Sequence, residues 1–425
     1  MDYIVKSIAD GVSMINVPVG RFKTNEIAVR IVLPINEDTA SVNALVIGML
    51  SRKCKDYPDI SSFNVKLAAL YGAQVESTVS KLGECQVLTL GMTSLDDRFS
   101  LDGESISLEC VRLLMSLLFE PCLDENGFFE EQSVEAEKRI LIQKLEAEDN
   151  EKRVYALRRA EEIMFAGEPY GINRYGTVEQ IKAITSKAAT AAWKNMLETG
   201  KILVSVVGNI DIERTSELVS EHIGKISRSC VDIPPSVFVP SSDEVKTHTE
   251  RIDVKQGKLV LGFRVNMKPD DEDAPAMRTF CDVFGGGPYS KLFANVREKL
   301  SLCYYCSARY TRLKSCIMVQ CGCNEENMDK AVSEILAQLE EIKNGNCDEE
   351  LASSKMGLRD AILSVNDTPE LIENWYSTQI LEDEFKTPEQ SVAEGEAVTK
   401  QQIQHCAELL TLDTVYKLTA KEDEE

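Results

Sequence analysis

Arg297 and Tyr304 are two of the donor-bearing side chains in residues 285–304, GGGPYSKLFANVREKLSLCY, and they lie seven residues apart. Arginine presents a fork of N–H donors and tyrosine a single hydroxyl. On the residues alone, Arg297 reads as a solvated arginine, because it falls off the helical apolar stripe of Leu292, Phe293, Val296 and Leu300. Tyr304 reads as a half-buried strand residue, since Ser301 to Cys306 leads into a strand. Three glycines precede Pro288, which reads as a flexible turn followed by a proline suited to a first helical turn. Other reactive groups are sparse. The chain has three histidines, His222, His248 and His405, and no two are close enough to share one turn of helix. A histidine pair four residues apart, which can hold one Zn²⁺ from one helical face, is therefore missing. Cys303, Cys306, Cys321 and Cys323 form a C-x-x-C and a C-x-C. Both pairs lie in strand-like text, where residues 303 and 306 face opposite sides; packing as small apolar groups is the better reading. For a Cys–His nucleophile, Cys303 is the candidate, and no histidine lies near it in sequence.

The segment resembles the C-terminal-half motif of the pitrilysin/insulinase family of zinc peptidases, a Gly-rich stretch leading to S-x-L-F-x-x-[IVL]-R-E-K and then L-x-Y. Two other stretches carry the same resemblance. FAGEPYGINRYGTVEQI is similar to the family's F-x-x-H-P-[LY]-G-x-x-x-x-G-T-x-E-x-I, with Gly171 and Gly176 at its turn glycines, and VVGNID matches the strand that follows. DTASVNALVIGMLSRK, followed by LAALYGAQVES, resembles the surroundings of the family's H-x-x-E-H zinc motif. The five motif positions fall on Ala44, Leu45, Val46, Ile47 and Gly48, none of which can ligate a metal or move a proton. The third family ligand, a glutamate on a later helix, falls on Gln143 of VEAEKRILIQKLEAEDN. A neutral amide is a poor substitute for a carboxylate there. Glu135, Glu137 and Glu146 of the same helix read as a solvated face.

The resemblance implies a chain without metal or cofactor of its own. It is similar to metal-less bacterial members that work beside a zinc-bearing sister subunit. In such pairs the Arg and Tyr grip the peptide backbone and help stabilise the oxyanion, and the matching positions here are Arg297 and Tyr304. The leading expectation is a non-catalytic subunit of a heterodimeric zinc peptidase that binds an extended peptide. The alternative is a peptide-binding or scaffolding protein with no part in proteolysis. A homodimer is the assembly open to the chain alone.

Composition narrows the partners. The net charge of −23 and pI near 4.7 argue against nucleic acid, whose phosphates would be repelled. No stretch approaches 18 apolar residues, so no membrane span is expected. MDYIVKSIADGVSMINVP has no basic segment followed by an apolar run. A signal peptide is thus not expected, and the chain is expected to be cytoplasmic with its 13 cysteines reduced.

The 425 residues divide at VDIPPSVFVPSSDEV, giving an N-terminal half over 1–230, a linker over 231–245 and a C-terminal half over 246–425. Both halves show one order. A strand (IAVRIVLP or KLVLGFRV) precedes two helices (NALVIGMLSRK and SSFNVKLAALYG, or AMRTFCDVF and SKLFANVREKL). A hairpin follows (AQVESTVSK with ECQVLTLGM, or YYCSARYT with SCIMVQCGC), then long helices near 105–119 and 129–165, or 326–343 and 348–366. KILVSVVGNI and TVYKLTA close the halves as strands, with DIERTSELVSEHIG a helix after the first and a frayed tail, KEDEE, after the second. The fold class is α+β, with two similar tandem halves of mainly antiparallel sheets flanked by helices. The resemblance implies that they close as a clamshell.

Overall fold

The computed structural model describes residues 2–382 and 384–421; the tail KEDEE, apart from Lys421, lies outside them. The chain folds as two compact units. One comprises Met1–Leu145, Ile172–Pro234 and Val365–Thr387, and the other Glu146–Gly171, Pro235–Ser364 and Pro388–Glu425. The passage at Pro234–Pro235 falls inside the Pro-rich 231–245 stretch. Two shorter exchanges, at 146–171 and 365–387, make the units interleaved instead of the plain tandem of 1–230 and 246–425.

The first unit is built on β1 (Ile4–Ala9), β2 (Val12–Val17), β3 (Thr24–Pro34), β4 (Gln74–Leu82), β5 (Cys85–Leu95) and β6 (Lys201–Val207). They form one sheet in the order β1-β2-β6-β3-β5-β4. The second unit holds β7 (Lys246–Ile252), β8 (Lys258–Val265), β9 (Tyr305–Thr311), β10 (Cys316–Gly322) and β11 (Leu410–Ala420), in the order β7-β11-β8-β10-β9. The order β2-β6-β3-β5-β4 is the same pattern, and in each sheet one pair is parallel, β2 with β6 and β7 with β11. The internal repeat thus extends to strand pairing, with β1 an addition.

Helices cover each sheet with apolar faces. Ala40–Leu50 is buried along its whole length and packs with Ile106–Phe119 in the first core, against Ile27, Val29, Leu88 and Leu90. In the second core, Ala274–Gly285 buries Met277, Phe280 and Phe284 against Leu261 and Phe263 of β8. No helix among the described residues is long and apolar enough to cross a membrane.

The structure departs from the sequence reading at several places. The helix expected over 129–165 is two, Glu131–Asn150 and Lys152–Met164. Glu151 between them is extended, and its side chain accepts from Arg153 N–H as a fresh N-cap. Lys152–Met164 then buries Ala156, Ala160 and Met164 on the second sheet, where Gly262 of β8 leaves room: a Cβ there would lie 2.5 Å from Met164 Sδ. The hairpin β1–β2 and the helices Ser186–Thr199 and Pro369–Ser377 were not foreseen. The last buries Ile372 and Tyr376 in a third apolar cluster on the first sheet, and Glu373 bridges Arg30 (2.7 Å) and Ser205 Oγ (2.6 Å).

Among the buried charges, Glu26 on β3 has a pH consequence. Desolvation by burial pushes its carboxyl up to about 7, against the hydrogen bond donated by Thr93 Oγ1 (2.7 Å), with Glu373, Glu76 and Glu370 adding repulsion. The unfolded chain releases this proton near 4.5, whereas the folded chain keeps it to about 7. Glu26 therefore adds no penalty below pH 4.5, and destabilises progressively between 4.5 and 7, by about 3 kcal/mol above that window. Glu26→Gln should match wild type in urea unfolding near pH 4.5 and exceed its stability at pH 8. Parallel stability–pH curves for the two proteins would contradict this assignment.

Candidate functional site

The chain reaches Arg297 through a close packing of backbone on backbone. A Cβ on Gly285 would lie 2.6 Å from Ala308 N of β9, and one on Gly286 would lie 1.9 Å from Asp282 Oδ1. None of Gly285, Gly286 and Gly287 has a positive φ. These glycines are demanded by contact, not by the flexibility read from the sequence. Ser290, fully buried, starts the next turn, its carbonyl accepting from Ala294 N–H (2.9 Å). Leu292–Lys299 then forms a π-helix, in which Leu300 N–H donates to Asn295 O (3.1 Å), five residues back. Leu292 and Val296 are buried, and Asn295 Nδ2 donates to Gln338 Oε1 (2.9 Å) on the helix Met328–Lys343. The wider turn rotates Leu300 off the stripe that a 3.6-residue period assigns to it, leaving it 45 % exposed.

Arg297 lies on the outer side of this π-helix, 40 % exposed. Its guanidinium is 4.5 Å from the centre of the Phe293 ring and 3.5 Å from Glu298. An exposed pair of that length holds it weakly. Ser301, at φ +49°, turns the chain back. Tyr304 immediately precedes β9, and its N–H donates to Gly322 O (2.8 Å). Its side chain is 65 % exposed, so it is not the half-buried strand residue the alternation suggests. Arg297 and Tyr304 line one open cavity of about 360 Å³. Cys303 and Ser301 line it too, and the turn after β10 adds Asn324 and Asn327. The two asparagines were not singled out in the sequence; nothing in CNEEN marks them before the hairpin register is known. The cavity offers a cation, a phenol and two amides, with the Glu298 carboxylate also on its lining, which suits neutral carbonyl oxygens.

The five metal-motif positions, Ala44 to Gly48, sit together on Ala40–Leu50, all buried. Ala44, Ile47 and Gly48 carry no donor atom, and the surrounding side chains do not fit a zinc ion. Gln143 is exposed. The residue of Glu131–Asn150 that reaches this face is Glu137, which the sequence reading placed on a solvated surface. It is 3 % exposed, its Oε1 would lie 2.2 Å from a Cβ on Gly48, and Arg52 Nε donates to its Oε2 (2.7 Å). A guanidinium thus neutralises the carboxylate beside the degenerate motif. Among the described residues, no group of three or more His, Cys, Asp or Glu is arranged to hold a metal.

Cys303 and Cys306, expected on opposite sides of a strand, are both buried in the second core, because Cys303 belongs to the turn before β9 and not to the strand itself.

Residues 183–358 match the family model described as Peptidase M16 inactive domain. Over 425 residues, 99 % of either chain, the sequence is 29 % identical to a Bacillus subtilis protein named probable inactive metalloprotease YmfF. A conserved protein from Enterococcus faecalis superposes with a TM-score of 0.91 at 26 % identity, covering 100 % of both chains. The M16 inactive domain structure from Pseudomonas fluorescens gives 0.79 at 15 % identity, also over 100 % of both, a likeness of fold.

The Arg52–Glu137 pair carries its own test. Arg52→Met should lower stability by about 1–3 kcal/mol, since it leaves a buried carboxylate without its cation. Adding Glu137→Met should recover most of that loss, because both polar partners are then gone. Urea unfolding of the single and double variants checks this, and additive losses would contradict it.

Proposed function

We propose, for a chain similar to the M16 inactive domain over residues 183–358 and to a probable inactive metalloprotease over its full length, a role as the metal-free subunit of a two-chain peptidase. It holds an extended peptide while a zinc-bearing M16 partner supplies the cleavage chemistry. The observation that carries this reading is the convergence of Arg297 and Tyr304 on one open cavity, in a chain whose Ala44–Gly48 face has no donor atoms.

The cavity lies at the start of β9, one of the two edge strands of its sheet. A peptide entering it would bring its carbonyls toward the donors of Arg297 and the Tyr304 hydroxyl. Arg297 is held by a ring face and a loose carboxylate, so its N–H groups can turn to a substrate oxygen at little loss. Donors positioned where negative charge develops stabilise it most when the partner's walls exclude water. This reading assigns no step of bond cleavage to this chain. A cytoplasmic setting with reduced thiols accords with the 13 free cysteines.

The test is reconstitution. The purified chain alone should cleave no peptide, and activity should arise on mixing with an M16 chain bearing H-x-x-E-H. Arg297→Ala or Tyr304→Phe should then reduce turnover by about 10²–10³-fold for a lost oxyanion donor, with co-elution of the two chains unchanged. Full activity from the double variant would leave the scaffolding alternative standing.

A further inference from the structure

Four thiols meet at the open end of the β9–β10 hairpin, and the peptide-holding role makes no use of them. Cys306 and Cys321 are register partners across the two strands. Cys303 enters from the preceding turn, and its thiol is hydrogen-bonded to those of Cys306 and Cys321, while Cys321 is bonded also to Cys323. All four are buried in the second core, yet Cys303 also lines the Arg297 cavity. The residue is 8 % exposed, facing the cavity on one side and two thiols on the other. The hydrogen bonds from Cys306 and Cys321, with the Arg297 guanidinium nearby, pull Cys303 down to about 4 against its burial. The same contacts push Cys306 and Cys321 up. The thiolate form is thus favoured at Cys303 and disfavoured at Cys306 and Cys321, while the contact with Cys321 pulls Cys323 down as well.

We infer that Cys303 is a peroxide-reactive thiol that closes an intramolecular disulfide with Cys306 or Cys321. Its thiolate attacks one oxygen of a hydroperoxide, the O–O bond breaks and hydroxide or alkoxide leaves, giving a sulfenic acid. The neighbouring thiol loses its proton and attacks that sulfur, the S–O bond breaks and water leaves. Two thiols and hydrogen peroxide become one disulfide and two waters, with two electrons passing to the peroxide. This chemistry does not depend on Arg297 and Tyr304 binding peptide.

Exposure alone would select other residues: Cys122 and Cys230 are the more exposed thiols, and burial raises both. The reduced full chain is treated with hydrogen peroxide, quenched with iodoacetamide and mapped by mass spectrometry. The expected result is a disulfide containing Cys303, joined to Cys306 or Cys321 and reversed by dithiothreitol. Brief labelling of untreated protein at pH 6 should mark Cys303 at least about tenfold ahead of Cys122 and Cys230. Cys303→Ser should slow peroxide-driven thiol loss by about tenfold or more. Because the mapping is done on the wild-type chain, a misfolded variant would not remove the test. A disulfide lacking Cys303, no disulfide, or preferential labelling of Cys122 or Cys230 would each overturn the assignment.

Discussion

The hydrogen bond from Tyr304 N–H to Gly322 O, 2.8 Å long, is the constraint on which the second unit's site depends. It continues the β9–β10 ladder one residue past the strand and so fixes where the turn from the π-helix must end. Gly322 is required there, because a Cβ at that position would lie 2.3 Å from Tyr305 Cε1. The Tyr305 ring is in turn covered by the Arg153 guanidinium, 4.4 Å from its centre, while Arg153 Nε donates to Gln320 Oε1 (2.7 Å). With the hairpin end clamped in this way, Tyr304 is turned outward, Cys303 inward, and the Asn324–Asn327 turn forms the far wall of the cavity.

A second constraint acts in the first unit, where the face that would carry a metal has become a packing surface. An ion-pairing arginine and a missing side chain at Gly48 together accommodate Glu137, a carboxylate that burial alone would destabilise. The arrangement is self-consistent without a metal, since the Glu137 charge is already satisfied. The second unit handles buried charge in a similar manner. Arg264 bridges Glu168 (2.7 Å) and Asp413 (3.0 Å), and Lys314 reaches Glu168 (2.6 Å). Glu168 stands at the histidine position of the F-x-x-H-P motif, so here the ion pair occupies a motif position itself.

Much of the repeat was legible in the chain, because strand alternation and helix periodicity are local. The strands β3 and β8, the hairpins β4–β5 and β9–β10, and the helices Ala40–Leu50 and Ala274–Gly285 all lie where the patterns place them. The N-terminal hairpin and Pro369–Ser377 were missed. Ile4–Ala9 is an exposed edge with weak alternation, and the apolar face of Pro369–Ser377 does not say which sheet it covers. The interleaving of the units was hidden for the same reason: Lys152–Met164 looks like a continuation of the helix before it until the sheet it packs on is known.

By itself, the sequence determined what this protein lacks and what it offers: no donor from Ala44 to Gly48, no histidine pair, and an arginine and a tyrosine seven residues apart. Those are matters of composition and spacing, and folding does not change them. Only the tertiary structure decided that Arg297 and Tyr304 share a cavity, that Glu137 and not Gln143 reaches Gly48, and that Cys303 touches Cys306 and Cys321. Each of these turns on local orientation, from a π-turn, a helix face or a turn before a strand. Such orientations are set by side chains distant in the chain, and a local pattern does not contain them.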